Sequence, residues 1–314
     1  MRILGTEIKA GNSYTLNLNK VKLYSTSEVE VPVIIERGEL DGPVVLLTGG
    51  IHGDEINGIE VVRQIIAHGW NKPKRGTIIC IPVVNIFGFL QLKREFPDGR
   101  DLNRVFPGTK KGSLASRFAY QLSNEVLPIV DIVMDFHTGG AQRYNAPHLR
   151  VDAAESKSIE LAKVFNAPCL YFSSNISKTF RATCSKKGIP YLLYEGGKSG
   201  DSDKTIAVEA VKGVLRVLEH LDMVTEGLPD ISVNHTTVEI TKSSWLRAKK
   251  SGFIHPKALA GDKVKKDEII ASITDPYGKL RHEIKAPHDT FLLNVNYGPV
   301  VYQGDAIFHI SKDE

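Results

Sequence analysis

Val44-Val45-Leu46-Leu47 is an unbroken aliphatic run that stops at Gly49-Gly50, and the apolar residues of Ile56 to Ile66 then recur at helical spacing. A run that is apolar at every position, rather than at every second one, marks a strand covered on both faces. The same signature recurs at Ile78 to Val84, Ile129 to Phe136 and Tyr191 to Tyr194, with helical patterns over 113 to 126, 155 to 165 and 204 to 221. Buried strands alternating with helices predict an α/β fold, a sheet clad on two sides. Residues 1 to 40 differ, because short runs such as Glu30-Val31-Pro32-Val33-Ile34-Ile35 predict antiparallel strands ahead of that core.

At 314 residues the chain exceeds the usual size of a single core, so two domains are expected. Asp222 to Val233, with Gly227 and Pro229, reads as the exit from the first. After about residue 235 helical periodicity gives way to short β-like runs between turns such as Gly261-Asp262, Asp275-Pro276-Tyr277-Gly278 and Gly304-Asp305. The expected division is therefore a domain over 1–230 and a small all-β domain over 231–314. The 40 basic and 36 acidic residues leave a net charge of +4, too even to point to nucleic acid or a membrane surface. Cys80, Cys169 and Cys184 show neither paired spacing nor a metal motif, which fits a reducing cytoplasm. No stretch approaches the roughly 18 apolar residues that span a bilayer, and the first residues lack an apolar signal region.

The residues with chemistry sit where the strands end. Gly49-Gly50-Ile51-His52-Gly53-Asp54-Glu55 places an imidazole and a carboxylate three residues apart, between a buried strand and a helix. A second strand ends in Asp135-Phe136-His137-Thr138-Gly139-Gly140 and a third in Glu195-Gly196-Gly197. Open α/β sheets bind ligands at the carboxyl ends of their strands, so the three segments are expected to share one crevice. A lone His-x-x-Glu pair is commonly a surface arrangement, but two histidines and two glutamates beside glycines at strand ends suit a zinc site with three protein ligands and water. Between the first two clusters, Gly99-Arg100-Asp101-Leu102-Asn103-Arg104 offers groups that recognise carboxylates.

These motifs resemble the succinylglutamate desuccinylase and aspartoacylase family of zinc carboxypeptidase-like hydrolases. The resemblance rests on Gly-Gly-Ile-His52-Gly-Asp-Glu55, Asp-Leu-Asn103-Arg104, Asp-Phe-His137-Thr-Gly-Gly and Tyr-Glu195-Gly-Gly in that order, over about residues 44 to 200. It implies a three-layer mixed sheet, one zinc ion per chain on His52, Glu55 and His137, Glu195 as general base, and Asn103 and Arg104 on a substrate carboxylate. It also implies an arginine upstream of the Asn-Arg pair near the scissile carbonyl. Arg94 and Arg100 both precede the pair, and Arg94 better matches the separation. Asp135 is placed to orient a ligand histidine, whereas Arg143, within Gln142 to His148, and Arg181 lie in segments that could line the pocket but read as structural or surface residues. His68, His148, His220, His235, His255, His282, His288 and His309 have no converging partner.

The last segment resembles the barrel-sandwich fold of biotinyl and lipoyl carriers, with Lys279 in a turn. The methionines that flank a biotinyl lysine are absent, so the expected role is to shape the pocket entrance or a homo-oligomer contact. The activity implied is hydrolysis of the amide in a small N-acyl amino acid or acylated diamino acid. A carboxypeptidase acting on peptide C-termini and a silent binding protein on the same scaffold are the rivals.

Overall fold

The computed structural model describes residues 1–22, 28–224, 227–279 and 281–312. A short hairpin of β1 (Arg2–Ile3) and β2 (Thr6–Glu7) precedes β3 (Ser13–Lys22) and β4 (Glu28–Arg37), which pair antiparallel. There follow β5 (Leu40–Gly49), α1 (Ile56–Ala67), β6 (Arg75–Ile81), α2 (Ile86–Gln91), α3 (Leu114–Gln121), β7 (Ile132–Gly139), β8 (Arg143–Val151), α4 (Ser156–Phe165), β9 (Cys169–Phe172), α5 (Phe180–Lys186), β10 (Tyr191–Lys198) and α6 (Lys204–His220).

The central strands lie in the order β8-β10-β7-β5-β6-β4-β3. The middle four, β10, β7, β5 and β6, are parallel. β8 joins β10 antiparallel at one side, and β4 joins β6 antiparallel at the other. Burial explains the aliphatic runs: Val44 to Gly49 in β5 and all of β7 are shut off from solvent. Val62 and Ile65 of α1, Leu161 of α4 and Val214 and Leu218 of α6 pack on one face. Phe118 of α3 and Phe180 and Cys184 of α5 pack on the other. The result is a mixed α/β fold with helices on both sides of a large mixed sheet.

Two boundaries differ from the sequence reading. β7 begins at Ile132 rather than Ile129, because α3 runs on through a π-turn over Leu122–Val126 and a 3₁₀ turn at Leu127–Ile129. β7 and β10 also extend past the expected ends, so His137 and Glu195 lie within strands, paired with each other across the β7–β10 ladder.

The rest of the chain is built of strands: β11 (Val238–Ile240), β12 (Ser243–Arg247), β13 (Gly252–Pro256), β14 (Lys263–Val264), β15 (Ile269–Thr274), β16 (Arg281–Lys285), β17 (Thr290–Asn296), β18 (Val300–Val301) and β19 (Ala306–Ser311). β13, β15, β16 and β18 form their own four-stranded sheet. β11 pairs with β9, and β17 pairs with β19 on one side and with the first part of β8 on the other. The large sheet therefore runs on into the C-terminal strands. Among the described residues no helix is long and apolar enough to cross a membrane.

The approach of α1 to β7 depends on Gly58, where an added Cβ would lie 2.2 Å from the Phe136 carbonyl oxygen. Backbone cannot yield as a flexible side chain can. Gly58→Ala is therefore expected to lower unfolding stability by about 3 kcal/mol, the upper range for overpacking a tight contact. An unchanged denaturation midpoint would show that α1 shifts freely.

Candidate metal centre

His52 and Glu55 leave the sheet in the loop between β5 and α1. Gly50 opens that loop with φ +62°, a left-handed conformation that suits glycine. Glu55 stands at the N-cap of α1, yet its side chain caps nothing. It turns instead to the histidines. His52 Nδ1 lies 2.7 Å from Glu55 Oε1, and His137 Nδ1 lies 2.8 Å from Glu55 Oε2. The Thr138 backbone N–H donates to Oε2 at 3.3 Å.

The outward ring nitrogens are held just as firmly. His52 Nε2 is 3.1 Å from Asp101 Oδ1, and His137 Nε2 is 2.8 Å from Asp135 Oδ2. Asp135 is itself fixed by the Thr48 hydroxyl at 2.6 Å and by the Tyr191 hydroxyl. A carboxylate that accepts the Nε2 proton selects the tautomer whose Nδ1 lone pair points inward, the arrangement seen behind metal-ligating histidines. His52, Glu55 and His137 are 3%, 1% and 4% exposed, so bulk water does not compete for these atoms.

The three residues offer ligand atoms all within 4.8 Å of one another. Two imidazole nitrogens and a carboxylate match the donor set of catalytic zinc sites, so the residues fit a divalent cation. Burial alone would lower the pKa of both histidines, but Glu55, with Asp101 at His52 and Asp135 at His137, outweighs it and raises them. Burial would raise Glu55, but the two imidazoles hold it well below the usual carboxylate range. The carboxylates around the two imidazoles thus favour positive charge at this point, which suits a cation.

The cluster forms the floor of a cleft of about 600 Å³. Arg94 lines it, with Nε and Nη2 at 3.2 and 2.9 Å from Asp101 Oδ2 and Nη1 at 3.3 Å from Glu55 Oε1. Arg100 instead lies 3.8 Å from Asp98 and does not line the cleft. Asn103 spends its Oδ1 on the Phe180 backbone N–H at the start of α5, which leaves its NH₂ as the donor end. Arg104 lines the same wall.

Glu195 reaches the cleft from β10, and burial raises its pKa ahead of a lowering contribution from Arg150. Its Oε2 accepts from Asn145 Nδ2 at 2.8 Å, and Oε1 lies 3.6 Å from Arg150 Nη1. Arg143, Arg150, Arg181, Trp245 and Asn294 complete the walls. Arg181, read as a structural or surface residue in a segment that could line the pocket, does line it. It is buried, and among the described residues it has no carboxylate partner, its guanidinium hydrogen-bonding only to Ser173 while Nε is left without a partner. Among the described residues, none of the other eight histidines belongs to a metal-holding cluster.

Asp101, Asn145 and Arg150 escaped the sequence reading as working residues. Asp101 stood inside a motif already singled out. The other two lie on β8, where Pro147 in mid-run argues against a strand.

A mixed α/β sheet with a buried His-Glu-His group at its strand ends is the class of protein these features define. Residues 41–221 match the succinylglutamate desuccinylase/aspartoacylase catalytic domain, and the chain belongs to that family. It is similar to N-alpha-acetyl-L-2,4-diaminobutyric acid deacetylase of Halomonas elongata, 28% identical over 296 residues that cover 90% of this chain and 86% of the relative. Among solved structures it resembles a succinylglutamate desuccinylase/aspartoacylase from Rhodobacter sphaeroides, with TM-score 0.85, 24% identity and full coverage of both chains. It also resembles the product-bound ectoine utilization protein EutE (DoeB) of Ruegeria pomeroyi, with TM-score 0.83, 23% identity and coverage of 97% and 96%.

Because Asp101 and Asp135 anchor the two imidazoles, Asp101→Asn and Asp135→Asn are each expected to weaken the affinity for a divalent metal ion about 10- to 100-fold. Competition with a chelating dye measures this. Wild-type affinity in both variants would mean that the anchors do not matter.

Proposed function

We propose that this chain is a zinc-dependent amidohydrolase, a deacylase that cleaves the amide bond of a small N-acyl amino acid or acylated diamino acid. The observation that carries the reading is the Glu55 carboxylate set between two inward-facing Nδ1 atoms, with Glu195 on the neighbouring strand. The name of the Halomonas relative supports the substrate class. On this reading the fold is the zinc carboxypeptidase-like one, with a barrel-sandwich-like C-terminal part, and one zinc ion per chain rests on His52, Glu55 and His137.

When bound, zinc supplies Lewis acidity, which polarises the scissile carbonyl and lowers the pKa of water towards about 7. The protein's own groups do the remainder. Glu195 has one carboxylate oxygen held by Asn145, so Oε1 is the atom left to take the water's proton and hand it to the departing nitrogen. Arg94 is locked by Asp101 with Nη1 turned to the cluster, where it stabilises negative charge building on the carbonyl oxygen. Asn103 and Arg104 hold the substrate carboxylate, and Arg143, Arg150 and Arg181 make the far walls cationic. Such a cleft selects small anionic substrates.

His52→Ala is expected to lose bound zinc and activity together, whereas Glu195→Ala should keep the metal and lose turnover by about 10²-fold or more. Metal analysis beside assays of N-acyl amino acids and blocked dipeptides checks this. Full metal content in His52→Ala sinks the ligand assignment, and a preference for dipeptides sinks the deacylase reading.

The raised pKa of Glu195 gives a pH signature. A carboxylate that must be ionised to accept a proton loses activity as pH falls through its folded pKa, so the acid limb of kcat/KM should lie above the ordinary value of about 4.3. Arg150→Met removes a charge that favours the ionised form, and the limb should move higher still. Movement to lower pH contradicts the assignment.

A further inference from the structure

We propose that Asn145 and Asn294 form a directional amide pair that positions Glu195, which makes β17 of the C-terminal segment a working part of the site. The inference rests on the reading of Glu195 as the proton carrier. Asn294 Nδ2 donates to Asn145 Oδ1 at 2.6 Å, and Asn145 Nδ2 donates to Glu195 Oε2 at 2.8 Å. A side-chain amide can present either end to a neighbour. With its oxygen engaged by Asn294, Asn145 has only its NH₂ left for the carboxylate. Asn294 therefore sets which way Asn145 faces, and Asn145 holds one oxygen of Glu195 so that the other is presented to the cleft.

The backbone is shaped to this end. Along β8 the pairing with β10 jumps from Glu195 opposite His148 to Gly197 opposite Asn145, a bulge that contains Pro147. Leu149 and Val151 face the core beneath α4 and α6, and Tyr144 packs against the same core although it stands an odd number of positions before each of them. Regular alternation forbids this, so the bulge has reversed the faces between them. Asn145 is thereby turned into the cleft, where an unbroken strand would have sent it to the core. β17 then places Asn294 directly opposite Asn145 in register.

Packing alone does not account for an asparagine at 294. It is 3% exposed, and its Oδ1 has no hydrogen-bond partner. A buried amide with one end unsatisfied is a stability cost that a leucine of similar size avoids. The donated N–H is the part of the side chain in use. Among the described residues Asn145 makes the one hydrogen bond to the Glu195 carboxylate, the Arg150 contact at 3.6 Å being longer.

The test is a mutant cycle on the full, zinc-loaded chain with N-acetyl-2,4-diaminobutyrate as substrate. Asn294→Leu is expected to lower kcat by on the order of tenfold through misplacement of the proton carrier, with KM, zinc content and melting temperature little changed. The same substitution should have no further effect in an Asn145→Leu background, where the contact to Glu195 is already gone, or in a Glu195→Gln background, where the proton-accepting carboxylate is gone. Asn145→Ser serves the same purpose if the leucine variant does not fold. Wild-type kcat in Asn294→Leu, losses that multiply with those of Asn145, or an undiminished loss in Glu195→Gln each overturn the pair. Should the wild-type chain hydrolyse no N-acyl compound, the deacylase reading fails first and takes this one with it.

Discussion

The Glu55 carboxylate, buried between two imidazoles, is the interaction around which the site is arranged. A lone carboxylate at that depth would be costly unless opposed by charge and hydrogen bonds. The Thr138 N–H and Arg94 donate to it, and a positive charge shared with the two imidazoles completes the balance. The imidazoles in turn need the outer ring of Asp101 and Asp135, and Asp101 needs Arg94. The group closes on itself through alternating charges, so its members hold one another in place. The start of α1 shows what this demands of the fold, since the residue standing where a helix cap belongs is turned away from the helix. Local rules are broken of this kind where a site requires it.

Much of this was legible in the sequence, and for a physical reason. A strand buried on both faces is apolar throughout, and a loop that passes close to other backbone needs glycine, so β5, β7 and β10 and the loops after them wrote themselves into the pattern. Three of the residues around the cleft floor, His52, Glu55 and His137, stood at those junctions. Arg94 could be named as an upstream arginine, but that it and not Arg100 faces the cluster follows from the path of the 92–101 loop, which no spacing records.

What stayed hidden lies mostly on β8. Pro147 and the polar residues around it read as a loop, and pairing between distant strands leaves no periodic mark. Asn145 lay in a segment that could line the pocket but was not singled out within it, while Arg150, and the contribution of Asn294 and Trp245 from the last part of the chain, left no sign. Arg181 lay in a segment that could line the pocket, but only the path of α5, which starts at the cleft wall, shows that this side chain turns inward. The segment after residue 235 is built of strands, and its pairing to β8 and β9 gives it more than an appendage's contact with the rest.

That pairing fixes an order of assembly during synthesis. His52, Glu55 and His137 all belong to the first half of the chain and can gather once the parallel strands have left the ribosome. β17 emerges near the end, and it is sandwiched between β8 and a strand made later still, β19. A nascent chain thus acquires a place for an ion well before it acquires the wall that closes the cleft. A polypeptide released too early would carry the residues that could hold an ion without the strand that closes the cleft beside them.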